Sequence, residues 1–383
     1  MIKHPAFQKL ISTKNIARAY EQASKSKSFR RAVLFFEKNL GSNLNNLRRS
    51  LFFKTYQHGK YRFFKVFDQK ERQISAAPFK DRIVHHAVYQ VIEPAFDKIF
   101  IDDSFANRAG KGSHKAVKRL QYFLQTLITK EKTIYCLKCD IAKCFPSINQ
   151  GILLALIKKH VKDKEILQLL NKIIASFESG NQLDYLFPPD APFRLYHPRG
   201  IPIGNLTSQL FVNIYLDPLD KYLKDVLKIK YYVRYVDDFL ILHPDKKFLN
   251  KLRQTIKQFL RSKLFFELHP KKQSIFPTWK GIDFLGYVIF PNHYLLRKSN
   301  KQTFKKRLLK MEKDYLAGKI KKDTVQMSIT SWIAHAQHAN TYRLRKRIFG
   351  RPLLAKNQKE ISQFIDSWEK KPSHEPSGQL HLF

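Results

Sequence analysis

The sequence predicts an α+β fold, with helices interleaved among short antiparallel strands, and three observations predict it. Between Tyr231 and Leu242, two short runs rich in aromatic and β-branched residues flank Asp237 and Asp238, which reads as two strands meeting at a tight hairpin tip. Elsewhere apolar residues recur every three or four positions among lysines and arginines, the spacing of amphipathic helices. Hydrophobic content of 43% and aromatic content of 13% belong to a folded globular chain, and 383 residues suffice for two or three subdomains.

Charge narrows the function classes. Lys and Arg number 71 against 31 Asp and Glu, a formal charge of +40, and self-repulsion of that size points to a polyanionic partner such as nucleic acid. A membrane partner is not expected. No apolar run approaches the ~20 residues of a spanning helix, and the amino terminus lacks a signal-peptide core. Cys136, Cys139 and Cys144 are odd in number and clustered, which fits reduced thiols in a cytoplasmic protein rather than a disulfide framework.

In chain order, residues 1 to about 60 carry helical periodicity, with Ala32, Phe35, Phe36 and Leu40 before Gly41, then Leu44, Leu47 and Leu51. This is a basic helical extension. Tyr61 to Val66 and Arg72 to Ala76 suggest a hairpin surrounded by Lys65, Lys70, Arg72 and Lys80, from which cations could reach a triphosphate. Asp81 opens a helix closed by Pro94; its His85 and His86 have no ligand partner at suitable spacing. Gly110 to His114 is a turn with Ser113 as helix cap, lacking the spacing of a phosphate-binding P-loop. Thr133 to Ile141 reads as a strand. Cys136 and Cys139 have Cys-x2-Cys spacing but fall on opposite faces of that strand, with no second pair to close a zinc site.

Residues 150 to 178 are mainly helical, and a loop with Pro188, Pro189, Pro192 and Pro198 follows. Gly200 and Gly204 allow close backbone approach before an apolar helix from Leu210 to Leu219. After the Asp-Asp hairpin come a helix from Leu249 to Leu260, a basic turn around His269 and Lys272, and a strand holding Phe284 to Ile289. Stripes at Phe304, Leu308, Met311 and Tyr315, at Val325, Ile329, Trp332 and Ala336, and at Leu344 and Ile348 give three helices with basic outer faces. Pattern fades beyond Pro352, and partial disorder is expected from about Lys371.

Three carboxylates carry the chemistry. Asp140 closes an apolar run, which is costly unless the group is exposed at a strand end or liganded. Asp237 and Asp238 at one tip repel, and a divalent cation with oxygen ligands, magnesium above all, would hold both ionised. A strand ending in one aspartate and a hairpin carrying two more is what two-metal nucleotidyl transfer requires.

With these residues in place the chain resembles a reverse transcriptase from the amino-terminal helices to about residue 350. The resemblance rests on Arg72 to Arg82, on Ser104-Phe-Ala-Asn-Arg108 with Gly110-Lys-Gly-Ser-His114, and on Asp140-Ile-x-x-Cys-Phe145. It continues through Pro202-Ile-Gly-Asn-Leu-Thr-Ser-Gln209, Tyr235-Val-Asp-Asp238, Lys272 and Phe284-Leu-Gly-Tyr287. Ile203 stands where most bacterial and retroviral relatives have Gln, and Gln209 where Pro is usual. That form looks like the reverse transcriptases of diversity-generating retroelements, set apart from the related group II intron and retron enzymes.

The resemblance implies a right-hand polymerase: a basic amino-terminal extension over 1–60, fingers over 61–135, an antiparallel palm over 136–290 with 151–198 returning to the fingers, a helical thumb over 291–350, and a basic tail over 351–383. It implies that Asp140, Asp237 and Asp238 ligate two magnesium ions, with manganese as a substitute and the Ile141 carbonyl as a further ligand. By the same carry-over Phe145 is the gate against a ribose 2′-hydroxyl, and Arg72, with Lys65 in a lesser part, holds the triphosphate. Lys272 acts near the leaving group, while Ile203, Gly204 and Gln209 line the nucleotide and template. The implied partners are dNTPs, a template-repeat RNA with its primer and cDNA, and a small basic accessory protein that forms a ring. The product would be cDNA altered mainly at adenines, made by a bacterial or phage-encoded enzyme. Rival readings are a group II intron or retron-like enzyme, a defence-associated polymerase, and a non-enzymatic RNA-binding scaffold.

Overall fold

The computed structural model describes residues 2, 5–67, 71–177 and 198–349. Two units result, one of Met1–Ala116 with Tyr135–Phe276, the other of Val117–Ile134 with Pro277–Phe383. The proline-rich stretch at 188–192, Lys70 and the tail beyond residue 350 lie outside the described residues.

The first unit begins with α1 (Ala6–Leu10), α2 (Thr13–Ser24), α3 (Arg31–Glu37) and α4 (Leu40–Phe52). The Ser12 hydroxyl caps α2 by accepting from Asn15 N, and Ile16, Ala19 and Ala23 form its buried face. The expected stripe holds at Phe36, half-buried against the core beside Tyr20 and Phe79, but Val33 takes the fully buried position, Ala32 is exposed and Phe35 is 75% exposed. Gly41 does not end a helix but lies in the first turn of α4.

β1 (Arg62–Phe67) and β2 (Glu71–Ala76) pair antiparallel, Arg62 against Ala76 and Phe67 against Glu71. α5 (Phe79–Asp97) follows. Pro94 does not close it, because the helix runs three residues further and the proline occupies its last turn. α6 (Ser113–Ile128) begins at Ser113 itself and passes into the second unit.

β3 (Tyr135–Ile141) leads through α7 (Cys144–Ser147) to α8 (Gln150–His160), capped by Asn149, and α9 (Lys164–Ala175), capped by Asp163. The apolar helix α10 (Leu206–Lys221) is buried along most of its length and ends in a π turn at Tyr222–Val226. β4 (Tyr232–Tyr235) and β5 (Asp238–His243) form the expected hairpin, and α11 (Lys246–Phe259) follows. Where a basic turn was expected, β6 (Leu268–Pro277) is a ten-residue strand. Its residues are mostly half-buried or exposed, so apolar patterning gave no sign of it.

The strands order β4-β5-β3-β6, and Tyr232, Leu137, Phe239 and Ile241 on the sheet join Val84, Val88, Leu216 and Leu219 from α5 and α10 in one core. Each such side chain, fully buried, contributes about 1.5–3 kcal/mol. This is the expected α+β architecture with an antiparallel central sheet.

In the second unit, β7 (Ile282–Phe284), β8 (Tyr287–Ile289) and β9 (Tyr294–Leu296) form a small antiparallel sheet. The expected single strand over Phe284 to Ile289 is a hairpin, because Leu285 and Gly286 take positive φ (50° and 89°) and turn the chain. α12 (Lys298–Leu316), α13 (Lys322–Gln337) and α14 (Tyr342–Phe349) pack Phe304, Leu308, Met311, Ile333 and Ile348 together, with the rings of Phe304 and Trp332 stacked at 4.0 Å. No helix among the described residues is long and apolar enough to cross a membrane.

Candidate active site

β3 is buried at Cys136, Leu137, Cys139 and Ile141, so Asp140 is a carboxylate near the rim of an apolar strand. Its register partner on β5 is Asp238, and Ile141 N donates to the Asp237 carbonyl at 3.2 Å. On a flat strand Asp237 and Asp238 would face opposite sides. Val236 resolves this with φ +56°, a left-handed conformation that β-branched residues rarely adopt.

A buried arginine holds that bend. Arg234 Nη1 donates to the Val236 carbonyl at 3.0 Å and to Asn213 Oδ1 at 3.1 Å. Its Nε and Nη2 grip Asp220 at 2.7 and 2.5 Å, and the Tyr232 hydroxyl donates to Asp220 Oδ1 at 2.6 Å. Arg234 and Asp220 are both fully buried. Neither was singled out from the sequence, although an arginine inside an apolar strand is itself a signal that a buried partner must exist.

Two lysines neutralise the acidic tip. Lys272, on β6, bonds Asp140 Oδ2 at 2.6 Å, and Lys138 lies 3.7 Å from Asp238 Oδ2. Burial pushes the Asp237 carboxyl up to about 6, with the Asp140 charge adding to it and Lys272 and Arg72 opposing. Burial pushes Asp238 up to about 7, eased by Lys138 and raised further by Asp140 and Asp237. Asp238 Oδ1 is buried without a hydrogen-bond partner. As placed, no three His, Cys, Asp or Glu side chains among the described residues converge closely enough to hold a metal ion. The donor set nevertheless suits a hard divalent cation: three carboxylates, two of them resisting ionisation, and one orphaned oxygen. The carbonyl of Ile141 lies at the same strand end.

Phe145 lies in α7, one short turn past β3, with its ring half-buried against the core and its carbonyl accepting from Ile201 N at 3.0 Å. The 201–205 loop is tied to β2 through Ser75 N, which donates to the Ile203 carbonyl at 2.9 Å. Gly204 has φ +113°, and an added Cβ would come within 2.9 Å of Ile74 Cγ2, so no other residue fits there without a shift. Gln209 is half-buried in the first turn of α10. Asp140, Asp237, Asp238 and Lys272 are thus brought together, and the Arg72 charge acts on Asp237. Lys65 is separated from Arg72: the register puts Arg72 opposite Val66, so the two cations occupy opposite faces of the hairpin. Lys65 instead pairs with Glu71 at 2.6 Å, an exposed contact of little energetic weight. The cysteines are buried free thiols.

A family model described as Reverse transcriptase (RNA-dependent DNA polymerase) matches residues 64–289. The chain is similar to the group II intron-encoded protein LtrA of Lactococcus lactis subsp. cremoris, 23% identical over 286 residues that cover 58% of this chain and 45% of LtrA. It is also similar to protein YkfC of Escherichia coli (strain K12), 24% identical over 264 residues covering 61% of this chain and 65% of that protein. The chain therefore spans less than half the length of LtrA. Among solved structures, apo telomerase from Candida tropicalis, truncated from its C-terminal domain, aligns over 62% of this chain and 55% of its own, with a TM-score of 0.47 and 16% identity.

Proposed function

Because this chain belongs to the reverse transcriptase family, we propose that it is an RNA-directed DNA polymerase, extending a primer 3′-hydroxyl with deoxynucleotides on an RNA template. The observation that carries the reading is the juxtaposition of Asp140 and Asp238 across β3 and β5, with Asp237 at the strained tip beside them. Asp140, Asp237, Asp238 and the Ile141 carbonyl would hold divalent cations, two in this scheme and magnesium by donor type. Such cations would supply Lewis-acid activation of the primer hydroxyl and neutralise the leaving pyrophosphate. Arg72 orients the triphosphate from the hairpin face that acts on Asp237. Lys272 holds a transferable proton at Nζ, next to Asp140, for the leaving group. The exposed position of Lys65 on the other hairpin face gives it a secondary role at most.

Purified protein given an RNA template, an annealed DNA primer, dNTPs and magnesium should make template-length cDNA. EDTA should stop synthesis and added magnesium restore it. Extension on DNA templates alone, or none on either, overturns the reading.

Phe145 supplies a second expectation. If its ring edge occupies the space of a ribose 2′-hydroxyl, Phe145→Ala admits ribonucleotides. The competing role is plain packing, whose loss costs ~3–5 kcal/mol and would lower stability instead. A soluble Phe145→Ala protein that still extends with dNTPs and rejects rNTPs as before would remove the gate.

We also propose the narrower assignment to a diversity-generating retroelement, with a template-repeat RNA, adenine-directed errors and a small basic ring-forming partner. Ile203 and Gln209 support it. An isoleucine cannot donate or accept the hydrogen bonds that a glutamine offers near the incoming nucleotide, each worth about 0.5–1.5 kcal/mol, or roughly threefold to tenfold in discrimination. Ile203→Gln should therefore lower errors opposite template adenines more than opposite other bases, as read by deep sequencing of cDNA from one RNA template. An unchanged ratio of adenine to other errors would count against it. The group II intron-encoded relative favours a second reading, in which the template is intron RNA; uniform errors from both enzymes would favour that alternative.

A further inference from the structure

The loop at 201–205 touches both proposed walls of the nucleotide site, Phe145 through Ile201 N and the Arg72-bearing hairpin through the Ile203 carbonyl. A shift of this loop therefore moves both walls. What fixes it from behind is a line of polar contacts that the polymerase chemistry does not use. Thr207 Oγ1 lies 2.6 Å from His85 Nδ1, and both residues are buried. His85 Nε2 lies 3.2 Å from His58 Nε2, and His58 Nδ1 lies 2.7 Å from the Gly59 carbonyl. The His58 ring stacks on Tyr61 at 4.7 Å, and the Tyr61 hydroxyl accepts from Asn205 Nδ2 at 3.3 Å. Asp81 clamps the outer segment, accepting from the Tyr56 hydroxyl at 2.7 Å and Gly59 N at 3.1 Å.

With both imidazoles neutral, these contacts admit one arrangement of protons. The Gly59 carbonyl can only accept, so His58 carries its hydrogen on Nδ1 and its bare Nε2 must accept. His85 therefore donates from Nε2, which leaves its Nδ1 bare, and the Thr207 hydroxyl must donate to it. Burial, with His58, His86 and Arg82 adding to it, pushes His85 down to about 3, so it stays neutral.

We propose that the His58–His85–Thr207 relay is a positioning device for nucleotide selection: it sets the 201–205 loop, and through it the spacing of Phe145 and Arg72, without touching substrate. The inference rests on the polymerase reading above. A loosened relay weakens selection of the correct nucleotide while the carboxylates stay intact.

Thr207→Val keeps the shape and removes the donor, and Thr207→Ser restores the hydroxyl. Single-nucleotide extension by the valine variant should show a KM for the correct dNTP raised about threefold to tenfold, with kcat within about twofold and misincorporation increased. The serine variant should return both to wild type. Wild-type KM and fidelity in Thr207→Val overturn the proposal. If that variant does not fold, His58→Phe carries the same expectation, since it keeps a ring on Tyr61 but leaves the His85 Nε2 hydrogen without an acceptor. Independently of activity, nitrogen NMR of labelled histidines at about pH 8 should find the Nδ1–H tautomer at His58 and the Nε2–H tautomer at His85. The reverse tautomers in an active enzyme overturn the relay. The expected tautomers in a protein that makes no cDNA overturn the polymerase reading and the selection role with it.

Discussion

Asp237→Asn is expected to lower magnesium-dependent cDNA synthesis by about a hundredfold to a thousandfold or more, while RNA affinity stays within a few-fold. The carboxamide lacks the charge that would hold a cation in the proposed site, whereas the proposed RNA binding would rest on the 71 lysines and arginines, which the change does not touch. A stability readout accompanies it. Burial and Asp140 hold the Asp237 carboxyl up at about 6, so ionising it costs the folded state. Its contribution to stability is therefore largest at low pH and is lost as pH rises from the ordinary carboxylate range of ~4 towards about 6. In chelator, asparagine removes that loss, and the variant should gain on wild type as pH rises through the same window. Thermal melts at several pH values, run beside primer extension and gel shift, check both halves. Wild-type cDNA yield from the variant would end the assignment of Asp237 to the reaction.

Arg234→Met should destabilise the first unit by about 3–5 kcal/mol. It leaves the fully buried Asp220 carboxylate with only the Tyr232 hydroxyl, and it strips the Val236 carbonyl of a donor at the strained tip. Denaturant titration with a spectroscopic readout gives the loss. The double variant Arg234→Met with Asp220→Leu removes the orphaned charge and should recover much of the stability. It should not recover cDNA synthesis, because the Val236 carbonyl still lacks the Arg234 donor that holds the bend. A loss below about 1 kcal/mol in the single variant would mean the pair is solvated in solution, contrary to its burial.

The hairpin at Tyr231–Leu242 was legible because aromatic and β-branched residues mark strands, and two adjacent carboxylates between them have no packing role. Asp140 was legible for a related reason, as a charge closing an apolar run. β6 was not, since a mostly half-buried run containing His-Pro-Lys-Lys carries turn residues and no alternation; its partner β3 is distant in the chain. Leu285 hid the hairpin at Phe284–Tyr287, because a leucine with φ +50° has no sequence signature beyond the glycine after it. Pro94 and Gly41 misled as punctuation, the first tolerated in a final turn and the second in a first turn. Lys65, a lesser candidate than Arg72 in the sequence, is set apart from it in space by register, which puts the two on opposite faces of the hairpin. The relay was invisible because it joins residues 27 and 122 positions apart, and histidine or threonine spacing over such distances carries no information.

The strand order β4-β5-β3-β6 also bears on how the chain is made. β3 leaves the ribosome about a hundred residues before either neighbour, since β5 begins at Asp238 and β6 at Leu268. At elongation rates of about 5–20 residues per second, that gap lasts roughly 5–20 s. Throughout it, a strand lined by Cys136, Leu137, Cys139 and Ile141 has two open edges and no β-partner, the condition under which nascent chains pair with one another. Slower translation of residues 142–237 is therefore expected to prolong the exposure and to raise the insoluble fraction of newly made chain.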